Sequence, residues 1–563
     1  MINVVLANQL GKIPLPGTPY TLMGVSDESH VGFFIPELRW KFDAGVPTDS
    51  QDDFTFLTCT KRSHICELPT DFLVTKKKPV PPPKSGVHAK GKPRERPIPS
   101  VFTHYPKKVL DFVSASLTLT KNSKTVVMPI WQLVNVVPNV PMIVMVNKTK
   151  FNVIPIVSAP TSIGYGFTEI RQKLKPEYLS LPQLEINKLS KDGVEICAEH
   201  EYHHFCYFGD VDFTVLFGTI GDLAKYRMII VPAPPADVWA QFHDFIMEHP
   251  EITFVLHGIH DNPSIPKNVM RIVNSYGSMG IRTFFDTSVQ TIQLCPGFTL
   301  SGASEAARHT GFFVPELGIC LDAGVPTDNI SEHVFISHGH WDHVRNLPCL
   351  VRDSPTKLNV YIPGVFTDSI TNFIQHSLGH ELNWNLVSMN YTDCKMITVI
   401  NRTTSEKIVL KIEPFKCTHS CPCIGYGFIK LDLETDTDVP LFCFLGDTDH
   451  KVMSNEYAKL IKYQTIIVEC TFFEPENKKD AKKDKHMYWD NLIPFIRSHP
   501  EIKFILYHFS CRYKPQEIIT FFTKCGFSNV VPFVNTYKSK KLSASSSEDS
   551  PCGAGFGAGA EDE

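Results

Sequence analysis

The stretch His338-Gly-His340-Trp-Asp342-His343 places three imidazoles and a carboxylate within six positions. Imidazole nitrogen and carboxylate oxygen at such spacing can project from one tight loop onto adjacent divalent cations. The apolar run EHVFI just before it reads as the strand that delivers the loop. Further groups of the right type follow in order: His419 in CTHSCPC, Asp447 in LGDTDH and His508 in YHFSCRY. Cys417, Cys421 and Cys423 flank His419 and give an alternative, a separate zinc knuckle.

These residues sit in the second of two copies of one domain. GFFIPELRWKFDAGVPTD from Gly32 and GFFVPELGICLDAGVPTD from Gly311 share thirteen of eighteen positions. IGYGF recurs at Ile163 and Ile424, FGD at Phe208 answers LGD at Leu445, and HPEI recurs at His249 and His499. Shared landmarks in one order mean a duplication. MIIVPAP, TIIVECT, ITFVLHG and IKFILYH read as buried strands, and 237–249 and 490–499 as helices between them, an α/β layered fold. The first copy spans 1–286 and the second 287–540. Residues 541–563 form a Ser/Gly-rich, acidic tail expected to be disordered. Residues 76–96 carry eight Lys/Arg and five Pro, have no counterpart in the second copy, and read as a solvated insertion.

The whole chain sets bounds on this chemistry. It has 563 residues, 43% hydrophobic and 20% charged, too apolar for wholesale disorder. No uncharged apolar run reaches the roughly 20 residues of a membrane span. The net charge of −4 confines any nucleic-acid contact to local patches. Sixteen Cys are too sparse for a disulfide scaffold. The start, MINVVLANQLGKIPLPG, lacks the pattern of a secretory signal. A nuclear or cytoplasmic protein is expected, and an organelle is compatible.

The His-x-His-x-Asp-His run resembles the motif of the metallo-β-lactamase superfamily. The resemblance implies tandem αββα sandwiches, a pseudo-dimer whose first copy is degenerate. It implies that His338, His340 and His419 hold one Zn2+, that Asp342, His343 and His508 hold a second, and that Asp447 bridges them. Mn2+ can replace zinc at such sites. Two such ions can hold a hydroxide between them and clamp a phosphodiester.

Three features narrow the resemblance to ribonuclease Z, the tRNA 3′-processing endonuclease. His508-Phe-Ser-Cys-Arg-Tyr513 is similar to that family's HFSxRY block, which suggests Ser510 and Arg512 as phosphate contacts. IIVECTFF followed by Ala481 and His486 resembles its Glu–His pair. Glu469 would then orient and charge His486, the general acid for the leaving 3′-oxygen. Residues 171–196 resemble the family's tRNA-gripping flexible arm, with Lys173, Lys175, Lys188, Lys191 and the turn residue Gly193 as candidate contacts. Asp342 would also orient the attacking oxygen.

Aligned on the second copy, the first has Cys59, Lys61 and Ser63 where the ligands His338, His340 and Asp342 stand. Ser158 faces His419, Gly258 faces His508 and Pro232 faces Glu469. Only His64 and Asp210 keep their type. The first copy should hold no metal. This division resembles long ribonuclease Z forms, in which one copy keeps the arm and the other the ions. The expected molecule is a monomeric internal pseudo-dimer. It would remove the 3′ trailer of precursor tRNA to leave a 3′-hydroxyl and a 5′-phosphate. A phosphodiesterase of the same fold acting on another nucleic acid or a small substrate is the alternative. A non-enzymatic RNA-binding or scaffold protein with a decayed site is a third. Two positions depart from the family pattern: Asn346, where it usually has Gly, and the bulky Trp341 between ligands.

Overall fold

The computed structural model describes residues 12–534, except 27–30, 46–51, 67, 70–97, 122–130, 147, 236, 258–268, 272–289, 326–330, 379–382 and 433–436. The expectations for 76–96, 541–563, Gly258 and the junction at 286–287 lie outside the described residues.

Each copy builds two seven-stranded sheets, and strand order follows the chain identically in both. In the first copy one sheet runs from Lys12–Pro14 to Gln132–Asn135, the other from Met142–Val146 to Val269–Arg271. In the second copy they run from Gln290–Cys295 to Trp384–Met389 and from Lys395–Ile400 to Val530–Pro532. Each sheet begins antiparallel and turns parallel, as at Phe312↔Leu321 and then Cys320↔Val334. Parallel neighbours need crossovers, which the helices supply while covering the sheet faces.

Local sequence accounts for these elements. Thr465–Glu469 is buried at every position, as a β-branched central strand should be. The expected helices occur at Trp239–Glu248 and Trp489–Ser498. Asp43 and Asp322, the Asp of each DAG turn, both take the left-handed conformation at φ 53 and 56. Asp tolerates that region better than most residues, and both turns aim a carboxylate inward.

The two sheets of each copy close on aromatic cores. Trp40, Phe42, Phe56, Phe167 and Tyr207 share one, and Phe312, Phe335, Tyr426, Phe428 and Tyr507 the other. A third cluster crosses between copies. Helix Pro106–Lys121 of the first packs on helix Thr367–Leu378 of the second, joining Val109, Phe112 and Leu119 to Trp341, Phe366 and Phe373. That seam lies directly behind the His-rich loop.

Candidate metal centre and active site

Strand His333–Phe335 ends into the loop, which closes on the short helix Trp341–Val344. Asp322 fixes this loop from below. Its Oδ1 accepts from the Ser337 amide at 2.7 Å, and its Oδ2 from Ser337 Oγ at 2.8 Å and His343 Nδ1 at 2.7 Å. Both departures from the family pattern have partners. Asn346 donates through Nδ2 to Gly324 O at 2.9 Å, tying the loop to the DAG turn. Trp341 faces the seam, its ring 5.4 Å from Phe373 and 6.5 Å from Phe112 of the first copy.

Asp447, from the end of Thr437–Phe444, sits among four imidazoles. Its oxygens lie 3.7 Å from His338 Nε2, 3.4 Å from His343 Nε2, 3.7 Å from His419 Nε2 and 3.6 Å from His508 Nε2. Asp342 Oδ2 is 3.3 Å from His508 Nε2 and 3.7 Å from His343 Nε2. Four rings keep Nδ1 for outer partners: His338 with Ser337, His343 with Asp322, His419 with the Lys485 carbonyl and His508 with Thr471. Such partners fix ring orientation in metal sites. His508 takes φ 61, uncommon for a non-glycine residue and tolerated where surroundings over-determine it.

The site fits divalent ions. His338 Nε2, His343 Nε2 and Asp447 Oδ1 are buried with no hydrogen-bond partner, a costly state unless something else satisfies them. Metal bonds of about 2.0–2.1 Å meeting tetrahedrally separate ligand atoms by about 3.3–3.4 Å, close to the spacings above. Groupings able to hold an ion include His338–His340–His419, here joined by Cys421, and Asp342–His343–His508. Among the described residues all such groupings lie in the second copy. Burial and the neighbouring imidazoles hold His338 well below its usual range, and burial with His419 takes His340 to about 3. Burial works against ionising Asp447, but His508 and His343 keep it well below the usual carboxylate value. Burial works against the His343 cation, but Asp447, Asp342 and Asp322 raise it well above its usual range, so metal binding there must displace a proton, since neutral imidazole and ionised carboxylate are the ligating forms.

Beside the cluster stands a second unit. Glu469 is fully buried yet accepts four hydrogen bonds: from the Thr448 amide at 2.7 Å, the Met487 amide at 3.2 Å, Thr471 Oγ1 at 2.5 Å and His486 Nδ1 at 2.9 Å. Burial disfavours the His486 cation, but the Glu469 charge and hydrogen bond outweigh it and raise His486 to about 9. Its ring lies 4.9 Å from His419 and 5.3 Å from His508. Lys485, left-handed at φ 57, caps helix Lys478–Asp484 and turns the chain so that His486 meets this pair.

Not every candidate joins the cluster. Ser510 is buried and lines a small pocket with Ser304, Glu305 and Tyr513. Arg512 is committed elsewhere, to Asp480 Oδ2 at 2.7 Å and Asn477 Oδ1 at 2.8 Å. The three-cysteine knuckle does not form: Cys417 and Cys423 are register partners on adjacent strands and pack in the core, and only Cys421 joins the imidazoles. Two residues of the site escape sequence reasoning. Asp322 lies in the repeated DAG turn, whose retention in both copies is its signal. Thr471 stands beside Glu469 with nothing in its spacing to mark it.

The arm is an ordered stalk. Strands Ser162–Leu174 and Cys197–Tyr207 pair out to Leu174↔Cys197 and carry helix Gln183–Lys191, which has no buried residue. Leu184, Lys188 and Lys191 share one helical face, and Leu184 is 83% exposed. Lys173 lies 4.9 Å over the Tyr202 ring, and Lys175 is 3.5 Å from Glu195. Gly193 turns the chain after the helix at φ 78, which explains its glycine.

In the first copy Asp43 still holds His64 at 2.9 Å, as Asp322 holds His343. Where ions would sit, Lys61 Nζ meets Asp210 Oδ2 at 2.8 Å, and Ser162 Oγ donates to the same oxygen at 2.6 Å.

Residues 326–509 match the Beta-lactamase superfamily domain. The chain is 25% identical over 260 residues to tRNase Z TRZ1 of Arabidopsis thaliana, covering 39% of this chain and 89% of that one. It is 26% identical over 236 residues to Ribonuclease Z of Methanococcus maripaludis, covering 32% and 70%. A long form RNase Z from yeast has the same fold, with a TM-score of 0.51 at 11% identity over 88% of this chain and 94% of that one. On fold and sequence together, the chain is built from two copies of the metallo-β-lactamase fold and is similar in sequence to tRNase Z and ribonuclease Z enzymes.

Proposed function

We propose that the chain is an endoribonuclease that removes the 3′ trailer of precursor tRNA, with two zinc ions in the second copy. The observation that carries the proposal is Asp447 among four imidazole Nε2 atoms at 3.4–3.7 Å, with the Glu469–His486 pair alongside. His338, His340 and His419 would hold one ion and Asp342, His343 and His508 the other, with Asp447 shared between the two sets. Ions held there would supply Lewis-acid stabilisation of the phosphoryl oxygens and make bound water acidic.

The chain's own residues do the rest. Asp342, fixed by the Ala307 amide at 2.9 Å, orients the attacking water. His486 keeps its Nδ1 proton on Glu469 and has Nε2 free to protonate the leaving 3′-oxygen. Raised to about 9, it carries that proton at neutral pH. Cleavage then leaves a tRNA 3′-hydroxyl and a trailer 5′-phosphate. The exposed helix of the arm, with Lys188 and Lys191 on one face, suits phosphate contacts that read shape rather than sequence.

The test is a 5′-labelled precursor tRNA with a short trailer, incubated with wild type and His340→Ala, with and without chelator. A single cut after the discriminator nucleotide, lost in the variant and with chelator, is expected. No cut by metal-loaded wild type would overturn the proposal.

A further inference from the structure

The grouping around the first proposed ion has four members. Cys421 Sγ, His338, His340 and His419 each offer one ligand atom, and these atoms lie within 4.8 Å of one another. His338 Nε2, the most enclosed of them, is buried without a hydrogen-bond partner. Burial and the nearby Asp447 charge push the metal-free Cys421 thiol up to about 12, and the Gly339 amide pulls against them. The neighbouring cysteines are placed otherwise: Cys417 is in the core, and Cys423 Sγ lies behind His338, 3.9 Å from its Nδ1.

We propose that Cys421 is a thiolate ligand of the ion held by His338, His340 and His419. The proposal rests on the two-ion assignment above. On binding, the S–H bond breaks, a sulfur–metal bond forms, and the proton leaves to solvent. The two ions then differ in kind. One would have three imidazoles, the shared Asp447 carboxylate and a soft sulfur, which favours zinc or cobalt over manganese. The other would have only imidazole and carboxylate ligands. Alkylation or oxidation of one cysteine would then weaken the first ion's site alone.

Cobalt(II) reports on this directly, because thiolate ligation adds an intense near-ultraviolet charge-transfer band. The full chain is loaded with cobalt, metal content is measured, and spectra are recorded for wild type, Cys421→Ser and Cys423→Ala. The band is expected in wild type and Cys423→Ala and lost in Cys421→Ser, with affinity for one of the two ions reduced tenfold or more. Cobalt-containing wild type without the band, or a band that survives in Cys421→Ser, overturns the proposal. Absence of bound cobalt overturns it together with the two-ion assignment. Precursor-tRNA cleavage by the same cobalt-loaded wild type tests the proposed function separately. Should Cys421→Ser not fold, iodoacetamide labelling of wild type decides. Cys421, partly exposed, is expected to be protected by metal and alkylated after chelation, and equal labelling in both states overturns the proposal.

Discussion

At the scale of single residues, Glu469 and Asp322 do comparable work on two different imidazoles. Glu469→Gln keeps the shape but removes the charge that raises His486 to about 9. The cleavage step should slow about 10²- to 10⁴-fold, the usual worth of a general acid, with metal content unchanged, as single-turnover kinetics would register. A loss of metal instead would make Glu469 a support of the cluster. Asp322→Asn suits the φ of 56, since Asn also accepts that region, but it weakens the carboxylate grip on His343. Metal affinity should fall about 10- to 100-fold, read by competition with a chelating dye, and an unchanged affinity would show the bond to be dispensable. The sequence exposes the ligands because four of them share one short loop and keep a fixed spacing. Asp322 and Thr471 stay hidden because they meet His343 and His508 from other strands, and only the packed sheets decide which side chains meet.

The arm and the seam helix pose the same question at the scale of elements. Residues 171–196 are recognisable as an insertion, but an insertion has no repeat partner to give its form. Its helix has no buried face from which periodicity could be read. Replacing Lys188 and Lys191 with Ala should weaken precursor-tRNA binding and lower the salt slope by about 1–2, at about 0.7–0.9 for each phosphate left without its cation. Hydrolysis of a small phosphodiester should be unchanged, and a tRNA affinity as salt-dependent as wild type would remove these lysines from the interface. The seam helix Pro106–Lys121 is not legible in the sequence, because its apolar face reads equally well as packing within its own copy. Phe112, 2% exposed against Trp341 and Phe373, joins the copies there. Phe112→Ala should cost about 3–5 kcal/mol in chemical denaturation and loosen the loop that carries Trp341. A cost below about 1 kcal/mol would mean that the copies associate elsewhere.

The whole molecule is two equal folds with unequal demands, and its acid response should originate in the first as well as the second. His257 is buried between Ser26 Oγ and the Phe208 carbonyl, both at 2.9 Å, and burial above all takes it down to about 4. An unfolded histidine titrates near 6.5. Between those values the unfolded chain binds more protons, so stability is complete above about pH 6.5 and falls as pH drops toward 4, by about 3 kcal/mol at most. Thermal melts of the metal-free protein should show that slope, and His257→Gln should flatten it; parallel slopes would assign the acid sensitivity elsewhere. The duplication itself is plain in the sequence, since thirteen of eighteen matched positions survive in its clearest stretch. The seating of Lys61 on Asp210 at 2.8 Å is not, because a lysine at a lost ligand position reads only as decay. It is a tethered cation, supplied by the gene rather than by the cell's metal pool. The first half can therefore balance the charge of Asp210 as soon as it leaves the ribosome, with no ion to wait for. It then offers a finished wall, through Phe112 and Leu119, on which the later half can set its His-rich loop.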